Sequence, residues 1–136
     1  MIVDDHASTR EMIRKYLDFP GMTYCECASG DEAVALAKEF KPSWVTMDVH
    51  MPPGLNGFQS TEALRLAHPA ARVMIVTSDN QPQFRQLSRE AGAIGLIAKE
   101  NLMALRMMLA QEITNKMLAE EITRKNLVAT QRLAIA

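Results

Sequence analysis

The stretch "VTMDVHMPPGLNG", from Val45 to Gly57, joins an apolar run to a turn-rich loop through one carboxylate, Asp48. The apolar run is typical of a strand buried in a sheet, and the two prolines and two glycines that follow predict a loop. An ionised group at the tip of a buried strand must reach water or meet a cation, because burying an unpaired charge is energetically costly. The rest of the sequence should therefore supply a cation for Asp48.

Short β-type runs alternate with amphipathic helical segments before and after this stretch. The alternation implies right-handed crossovers between parallel strands, with helices on both faces of the sheet. We therefore predict an α/β fold with a doubly wound, five-stranded parallel sheet. The predicted strands are "MIVDD", "MTYCECA", "WVTMD", "RVMIVTS" and "GLIAK", and the predicted helices lie at roughly 8–19, 30–40, 57–68 and 82–92.

Several residues mark where these helices begin and end. Two capping-box spacings, Ser8 to Glu11 and Ser29 to Glu32, predict the starts of the first two helices. Pro82 stands near the predicted start of the fourth helix, and Gly92 stands where that helix should end.

The composition narrows the class of protein. The 136 residues suit one domain, and 15 basic against 16 acidic residues give a net charge of −1 without a basic cluster. We therefore expect no direct nucleic-acid binding and no membrane association, since no apolar run is long enough to span a bilayer. Cys25 and Cys27 point to the same face of one strand, which disfavours a disulfide and favours a cytoplasmic protein.

Charged side chains follow several predicted strands, at the sheet edge where doubly wound proteins bind ligands. If Asp4, Asp5 and Asp48 meet there, each pair of charges about 4 Å apart repels by about 4 kcal/mol at an effective dielectric constant of about 20. Lys99 supplies only one compensating charge. Because the ligands are oxygens and the three histidines are dispersed, Mg²⁺, or Mn²⁺ in its place, is the expected cofactor.

A carboxylate beside a divalent metal, a lysine and a hydroxyl such as that of Thr77 is suited to receive a phosphoryl group. Carboxylates act as nucleophiles that form acyl phosphates, and the cations stabilise the charge on the transferred group. The sequence therefore predicts that Asp48 meets a metal and a lysine, and that it becomes phosphorylated.

The order of these motifs resembles the receiver domain of two-component response regulators over roughly residues 1–110. The start "VDDH", together with the acid that follows Lys99, is most similar to receivers that carry a helix-turn-helix output. The resemblance implies the (βα)5 flavodoxin-like receiver fold with strand order 2-1-3-4-5. The motifs that carry it are "VDD" at 3–5, "MDVHMP" at 47–52, "GLNGF" at 54–58, "VTS" at 76–78, "AGA" at 91–93 and "AK" at 98–99.

The resemblance implies a role for each residue that matches a family motif. Asp48 would be the phospho-acceptor and a metal ligand. Asp5 would bind Mg²⁺ directly, Asp4 would bind it through water, and the backbone carbonyl of His50 would complete the ligands from the protein.

The resemblance also assigns the residues around the acceptor. Lys99 would contact the phosphate, and Thr77 would be the hydroxyl of the switch. His50 and Asp79 occupy positions at which the family tunes dephosphorylation. Leu96 stands at the switch position that is usually aromatic, so the aromatic half of the switch is missing.

The implied function is to take a phosphoryl group from a histidine kinase or phosphotransfer protein onto Asp48, and to switch conformation to control a partner or output. Such a chain is no enzyme beyond catalysing its own phosphorylation and dephosphorylation. Two alternatives remain. One is a non-phosphorylated interaction module on the same fold, which Leu96 weakly favours. The other is a Mg²⁺-dependent phosphohydrolase, which usually needs a second acid where this chain has His50.

The segment after Lys99 contains neither glycine nor proline and favours a long helix that starts near Asn101. We predict a receiver domain over residues 1–112 and a helical extension or linker over residues 113–136. No helix-turn-helix pattern occurs in this segment. Because Ile113, Met117, Leu118 and Ile122 would be exposed on an isolated helix, we expect self-association through it, as a parallel homodimer.

Overall fold

The computed structural model describes all 136 residues and contains one five-stranded parallel sheet of order β2-β1-β3-β4-β5. Helices alternate with the strands along the chain, so the predicted doubly wound α/β fold is confirmed. The elements are β1 (Ile2–Val3), α1 (Ala7–Tyr16), β2 (Glu26–Cys27), α2 (Gly30–Phe40), β3 (Trp44–Met47), α3 (Gly57–Ala67), β4 (Arg72–Thr77), α4 (Phe84–Ala91), β5 (Gly95–Ala98), a 3-10 turn (Lys99–Asn101) and α5 (Leu102–Ile135).

The core lies along β3 and β4, the central pair of longer strands. Val45 pairs with Val73 and Met47 pairs with Ile75, and all four side chains are completely buried. Apolar residues occur without alternation in both strands because helices cover both faces of a parallel sheet. This central pair fixes the position of the residue that follows β3, which is Asp48.

The predicted capping boxes of the first two helices are not formed as complete boxes. Helix α1 begins at Ala7, and its N-cap is His6, so the predicted box from Ser8 to Glu11 is wrong, since Ser8 already lies inside the helix. At α2, the Ser29 hydroxyl accepts from the Glu32 amide as predicted, but the Glu32 carboxylate accepts from the amide of Ala28.

The remaining helix boundaries lie close to their predicted positions. Helix α3 begins with a complete capping box between Asn56 and Gln59, in which each side chain accepts from the other residue's amide. This box was not predicted, because Asn and Gln replace the more familiar Ser and Glu. Helix α4 begins two residues after Pro82 and ends at Gly92, whose φ of 88° favours glycine.

Strand β2 is much shorter than the predicted run "MTYCECA". Only Glu26 and Cys27 pair with β1, and they form one edge of the sheet. Both cysteines are free thiols, as expected, with Cys25 half-buried and Cys27 buried. Burial, reinforced by the neighbouring Cys25, raises the pKa of the Cys27 thiol to about 12, so this cysteine has little thiolate character.

The chain divides into two compact units, Met1–Leu102 and Met103–Ala136. The predicted boundary between residues 112 and 113 lies inside α5, which runs without a break from Leu102 to Ile135. At 1.5 Å per residue, the 34 residues of α5 extend about 51 Å. Every side chain from Thr114 onward is exposed, and none of the helices combines the length and apolar character needed to span a membrane.

Candidate functional site

The ends of three parallel strands bring two carboxylates and an ammonium group together. Asp4 follows β1, Asp48 follows β3 and Lys99 follows β5. The Lys99 Nζ atom lies 2.8 Å from Asp4 Oδ2 and 3.2 Å from Asp48 Oδ1. The cation that Asp48 requires within the chain is therefore Lys99, shared with a second buried acid.

Asp48 is buried and hydrogen-bonded within this site. Its side chain is almost fully buried, and its Oδ1 accepts a 2.9 Å hydrogen bond from the amide of Val49. Burial and the nearby charge of Asp4 raise the pKa of Asp48, against the opposing effects of Lys99 and the Val49 amide. An ionised Asp48 is thus destabilised in the folded protein, which makes further positive charge favourable at this position.

The backbone behind Asp48 leaves room only for a glycine at the start of α3. The Gly57 amide donates to the carbonyl of Val49 at 2.9 Å. A Cβ atom at Gly57 would lie 2.0 Å from the Asp48 carbonyl oxygen. The close approach of α3 to β3 therefore fixes the backbone of Asp48 and depends on the absence of a side chain at residue 57.

Lys99 is largely sequestered with its two acidic partners, since only 16% of its side chain is exposed. Burial alone would lower the pKa of Lys99, but the hydrogen bond to Asp4 and the charges of Asp48 and Asp4 outweigh it and raise the pKa. Lys99 therefore remains protonated at neutral pH and offers a fixed positive charge beside Asp48.

Asp4 and Asp5 form a group of potential metal ligands with His6. One ligand atom from each of the three residues lies within 4.8 Å of the others, and His6 Nδ1 is 2.9 Å from Asp5 Oδ1. The group does not include Asp48. His6 was not predicted as part of the site, although its position directly after two acids was the available signal. This mainly oxygen donor set suits a divalent cation.

The backbone of Asp4 is anchored from α1. The Arg10 guanidinium donates to the Asp4 carbonyl at 2.8 Å, and the amide of His6 donates to Asp4 Oδ1 at 2.9 Å. Arg10 also pairs with Glu26 on β2 at 3.2 Å. No sequence motif marks Arg10, which holds the loop that carries Asp4 and Asp5.

Thr77 and Asp79 connect the end of β4 with the loop that follows Asp48. The Thr77 hydroxyl is buried and accepts from the amide of Asp79 at 3.1 Å. Asp79 Oδ2 lies 3.2 Å from His50 Nε2 and accepts from the Gln81 amide group at 2.8 Å. The His50 side chain is 61% exposed. The two residues assigned by resemblance to dephosphorylation therefore contact each other, at the exposed side of the site.

Leu96, which the resemblance assigns to the switch, lies on β5, where it pairs with Ile75 and packs against the core. An aromatic group instead lies at the start of α4. The buried ring of Phe84 is 5.9 Å from the ring of His50 and 5.2 Å from that of Phe58, in an edge-to-face contact. Phe84 was not predicted as part of the site, because no sequence motif marks its place.

Comparisons with known proteins agree with this geometry. Residues 1–110 match the family model described as response regulator receiver domain. Response regulator GacA of Pseudomonas protegens is 35% identical over 117 residues, which cover 81% of this chain and 54% of GacA. Protein PilH of Pseudomonas aeruginosa is 35% identical over 101 residues, which cover 73% of this chain and 83% of PilH. The chain thus spans about half the length of GacA.

A solved structure shows the same architecture. The two-component response regulator of the LuxR family from Aurantimonas sp. SI85-9A1 superimposes with a TM-score of 0.71 at 30% sequence identity. The match covers 90% of this chain and 96% of that structure. The similarity therefore extends over nearly the whole of the compared structure.

Proposed function

This chain belongs to the family of response regulator receiver domains, and we propose from that membership that Asp48 accepts its phosphoryl group. The observation that carries the proposal is the Lys99 ammonium group, which lies 3.2 Å from the buried Asp48 carboxylate. A buried ion pair often adds little net stability to a protein. Stability alone therefore does not explain why the Asp48 carboxylate is buried beside one cation at the end of a central strand. This carboxylate is suited to receive an electrophilic phosphorus atom.

In the proposed reaction, an Asp48 carboxylate oxygen attacks the phosphorus of a phosphohistidine. The new O–P bond forms as the P–N bond breaks, and the histidine of the donor leaves with the bonding electrons. Lys99 remains charged throughout and pairs with an oxygen of the transferred group. The Thr77 hydroxyl, at the end of β4, already accepts from Asp79 and is free to donate its proton to another phosphoryl oxygen.

We propose that Mg²⁺, or Mn²⁺, binds beside the acceptor through Asp5 and Asp48, with Asp4 acting through water. The three carboxylates exceed the single charge of Lys99, and the ligand atoms of Asp4, Asp5 and His6 already lie within 4.8 Å of one another. The backbone carbonyl of His50 would complete the set. The bound metal would neutralise charge on the incoming phosphoryl group and on its acceptor.

Acetyl phosphate is expected to phosphorylate the chain only when Mg²⁺ or Mn²⁺ is present. An anionic donor approaches a site with an excess of carboxylates slowly unless a metal offsets that charge. Intact-mass spectrometry should show one phosphoryl group per chain, with near-complete loss of uptake in Asp48→Asn. Equal uptake by Asp48→Asn and the parent chain would refute Asp48 as the acceptor.

Asp5→Asn should weaken Mg²⁺ binding about tenfold more than Asp4→Asn does, because loss of a direct anionic ligand removes more affinity than loss of one that acts through water. Isothermal titration calorimetry of Mg²⁺ on both variants measures the difference. Circular dichroism of each variant controls for unfolding, since Asp4 is fully buried and also holds Lys99. Equal losses of affinity would contradict the assignment of direct and water-mediated ligands.

We propose that His50 and Asp79 set the rate at which water removes the phosphoryl group. Their side chains pair at 3.2 Å and connect the loop after β3 with the loop after β4. The His50 side chain is exposed whereas Asp48 is buried, and in this proposal water approaches the acyl phosphate past the His50–Asp79 pair. Thr77, whose hydroxyl accepts from the amide of Asp79, is the proposed switch residue. Leu96 on β5 is the second proposed switch position, and its apolar side chain makes no polar contact.

Receiver domains are signalling domains that interact with histidine kinases or phosphotransfer proteins. We propose that such a protein donates the phosphoryl group to this chain, and that the only reactions the receiver itself catalyses are its phosphorylation and dephosphorylation. Phosphotransfer from a purified phosphorylated kinase domain to Asp48 would support this role. Phosphohydrolase activity on small phosphate esters would contradict it.

We further propose that the exposed part of α5 mediates self-association. Leu118, Ile122 and Leu133 are each more than half exposed, and burying one such side chain contributes roughly 1.5–3 kcal/mol. Six of these side chains in a dimer offset an association cost of about 4–15 kcal/mol, which predicts a weak dimer.

The expected result is that the full chain scatters light as a dimer and a chain ending at Thr114 scatters as a monomer. Both should be compared at the same concentration, with circular dichroism to follow helix content. Two monomers with equal helix content per residue would refute self-association through this segment.

A further inference from the structure

One face of the exposed part of α5 carries a repeating apolar stripe. Leu118 and Ile122 recur eleven positions later as Ala129 and Leu133. Leu118, Ile122 and Leu133 are 55%, 59% and 79% exposed, so the stripe has no cover within the chain. An eleven-residue period keeps a stripe on one face of a helix, because eleven residues complete just over three turns. We call these four residues the 118–133 stripe.

We propose that the 118–133 stripe pairs with the same stripe of a second copy of this chain in antiparallel orientation. This proposal rests on the proposed self-association of α5 and adds its orientation and contacts. The stripe is symmetric about its centre. When Leu118 lies opposite Leu133 of the second copy, Ile122 lies opposite Ala129 of that copy. Every residue of the stripe therefore faces another apolar residue.

The charges beside the stripe favour the antiparallel orientation. Glu121 and Arg132 each stand one position before a stripe residue, Ile122 and Leu133 respectively, so they lie on the same flank of the helix. In an antiparallel pair, this flank of one helix lies against the same flank of the other helix, which runs in the opposite direction. Glu121 of each copy therefore lies beside Arg132 of the other copy, at both ends of the interface. The opposite flank brings together Ala119 and Thr130, which are uncharged.

A parallel pairing, which the sequence alone suggested, makes a less favourable set of contacts. It would set Lys125, at the centre of the stripe, directly against Lys125 of the second copy, and it would place Glu121 beside the uncharged Asn126. The antiparallel pairing instead places Lys125 opposite Asn126. The Lys125 ammonium group also lies 3.1 Å from the Glu121 carboxylate of its own helix. This pairing draws the charge of Lys125 toward Glu121.

The other exposed apolar residues of α5 do not form an equivalent surface. Met117, Val128 and Ile135 lie on a different side of the helix from the 118–133 stripe. An antiparallel pairing of Met117 with Ile135 would set Val128 against Arg124. This second set therefore opposes an apolar side chain with a charge, whereas the 118–133 stripe does not.

Charge reversal of the full-length chain tests the orientation. Glu121→Arg and Arg132→Glu should each weaken dimerisation about tenfold or more at low salt, because each change replaces two attractions per dimer with two repulsions. The double variant E121R/R132E should restore the dissociation constant to within about threefold of the parent value, as measured by sedimentation equilibrium. The pair Glu120→Arg and Arg124→Glu, on another side of the helix, is the matched control, and circular dichroism reports any loss of helix.

Cross-linking provides an independent measurement. A mixture of Leu118→Cys and Leu133→Cys chains should form mixed disulfides, whereas either variant alone should form few. The parent chain, with Cys25 half-buried and Cys27 buried, shows the background. The antiparallel orientation would be wrong if the double variant did not restore dimerisation, or if the Leu118→Cys variant alone formed disulfide-linked dimers. Either result would leave self-association intact. A monomeric full chain would overturn both.

Discussion

Replacing Lys99 with methionine should lower the melting temperature of the metal-free protein by roughly 10 °C or more. Methionine retains an apolar stem but removes the charge that lies 2.8 Å from Asp4 and 3.2 Å from Asp48. Removing one member of a buried ionic group costs about 3–5 kcal/mol, because the remaining charges stay buried without a partner. Differential scanning calorimetry in the presence of a chelator measures the effect.

Mg²⁺ should restore much of the lost stability in Lys99→Met, and it should bind this variant more tightly than the parent chain. The reason is that the variant leaves three carboxylates without an ammonium group in the same site. The double variant Asp48→Asn with Lys99→Met is the control, since it relieves part of the repulsion without metal. A melting temperature of Lys99→Met within a few degrees of the parent would show that Lys99 does not neutralise these acids.

Replacing Gly57 with alanine should destabilise the protein by about 3 kcal/mol, at the upper end of the range for overpacked sites. The added Cβ would lie 2.0 Å from the Asp48 carbonyl oxygen and 2.8 Å from the Val49 Cα. These atoms belong to the backbone and cannot rotate away, so either α3 or the backbone of Asp48 and Val49 must move. Phosphorylation by acetyl phosphate should slow in the same variant, because Asp48 moves relative to Lys99.

Gly21→Ala is the matched control for this substitution. A Cβ at Gly21 would meet no atom within 4 Å, but the φ of 78° at Gly21 is unfavourable for alanine. The expected cost is only about 1–2 kcal/mol, with phosphorylation unchanged. Urea denaturation of both variants separates the two effects. Equal losses at Gly57 and Gly21 would show that contact with the Asp48 backbone is not what excludes a side chain at Gly57.

The fold followed from the sequence because its strongest signals are local. The apolar run before Asp48 and the matching run in β4 could be recognised without knowledge of their neighbours, and both form central strands. Capping was less predictable. Ser8 and Glu11 have the spacing of a capping box, yet α1 already begins at Ala7. An N-cap residue must itself have a non-helical backbone, and sequence spacing alone does not show whether Ser8 does.

The candidate site was only partly accessible to sequence reasoning. Asp4, Asp48 and Lys99 could be grouped because the carboxyl ends of parallel strands meet at one edge. His6, Arg10 and Phe84 contribute through contacts that depend on how α1 and α4 lie against the sheet. Such contacts join residues that no short motif connects, so they emerged only from the three-dimensional structure.

The short strand β2 has a consequence for how the protein avoids aggregation. As an edge strand it could template the addition of a foreign strand, but it offers only two residues for pairing. One of them, Glu26, is held by Arg10 at 3.2 Å and Arg14 at 3.3 Å, so charged side chains crowd this edge. Amyloid-like extension of the sheet at the β2 edge is therefore disfavoured.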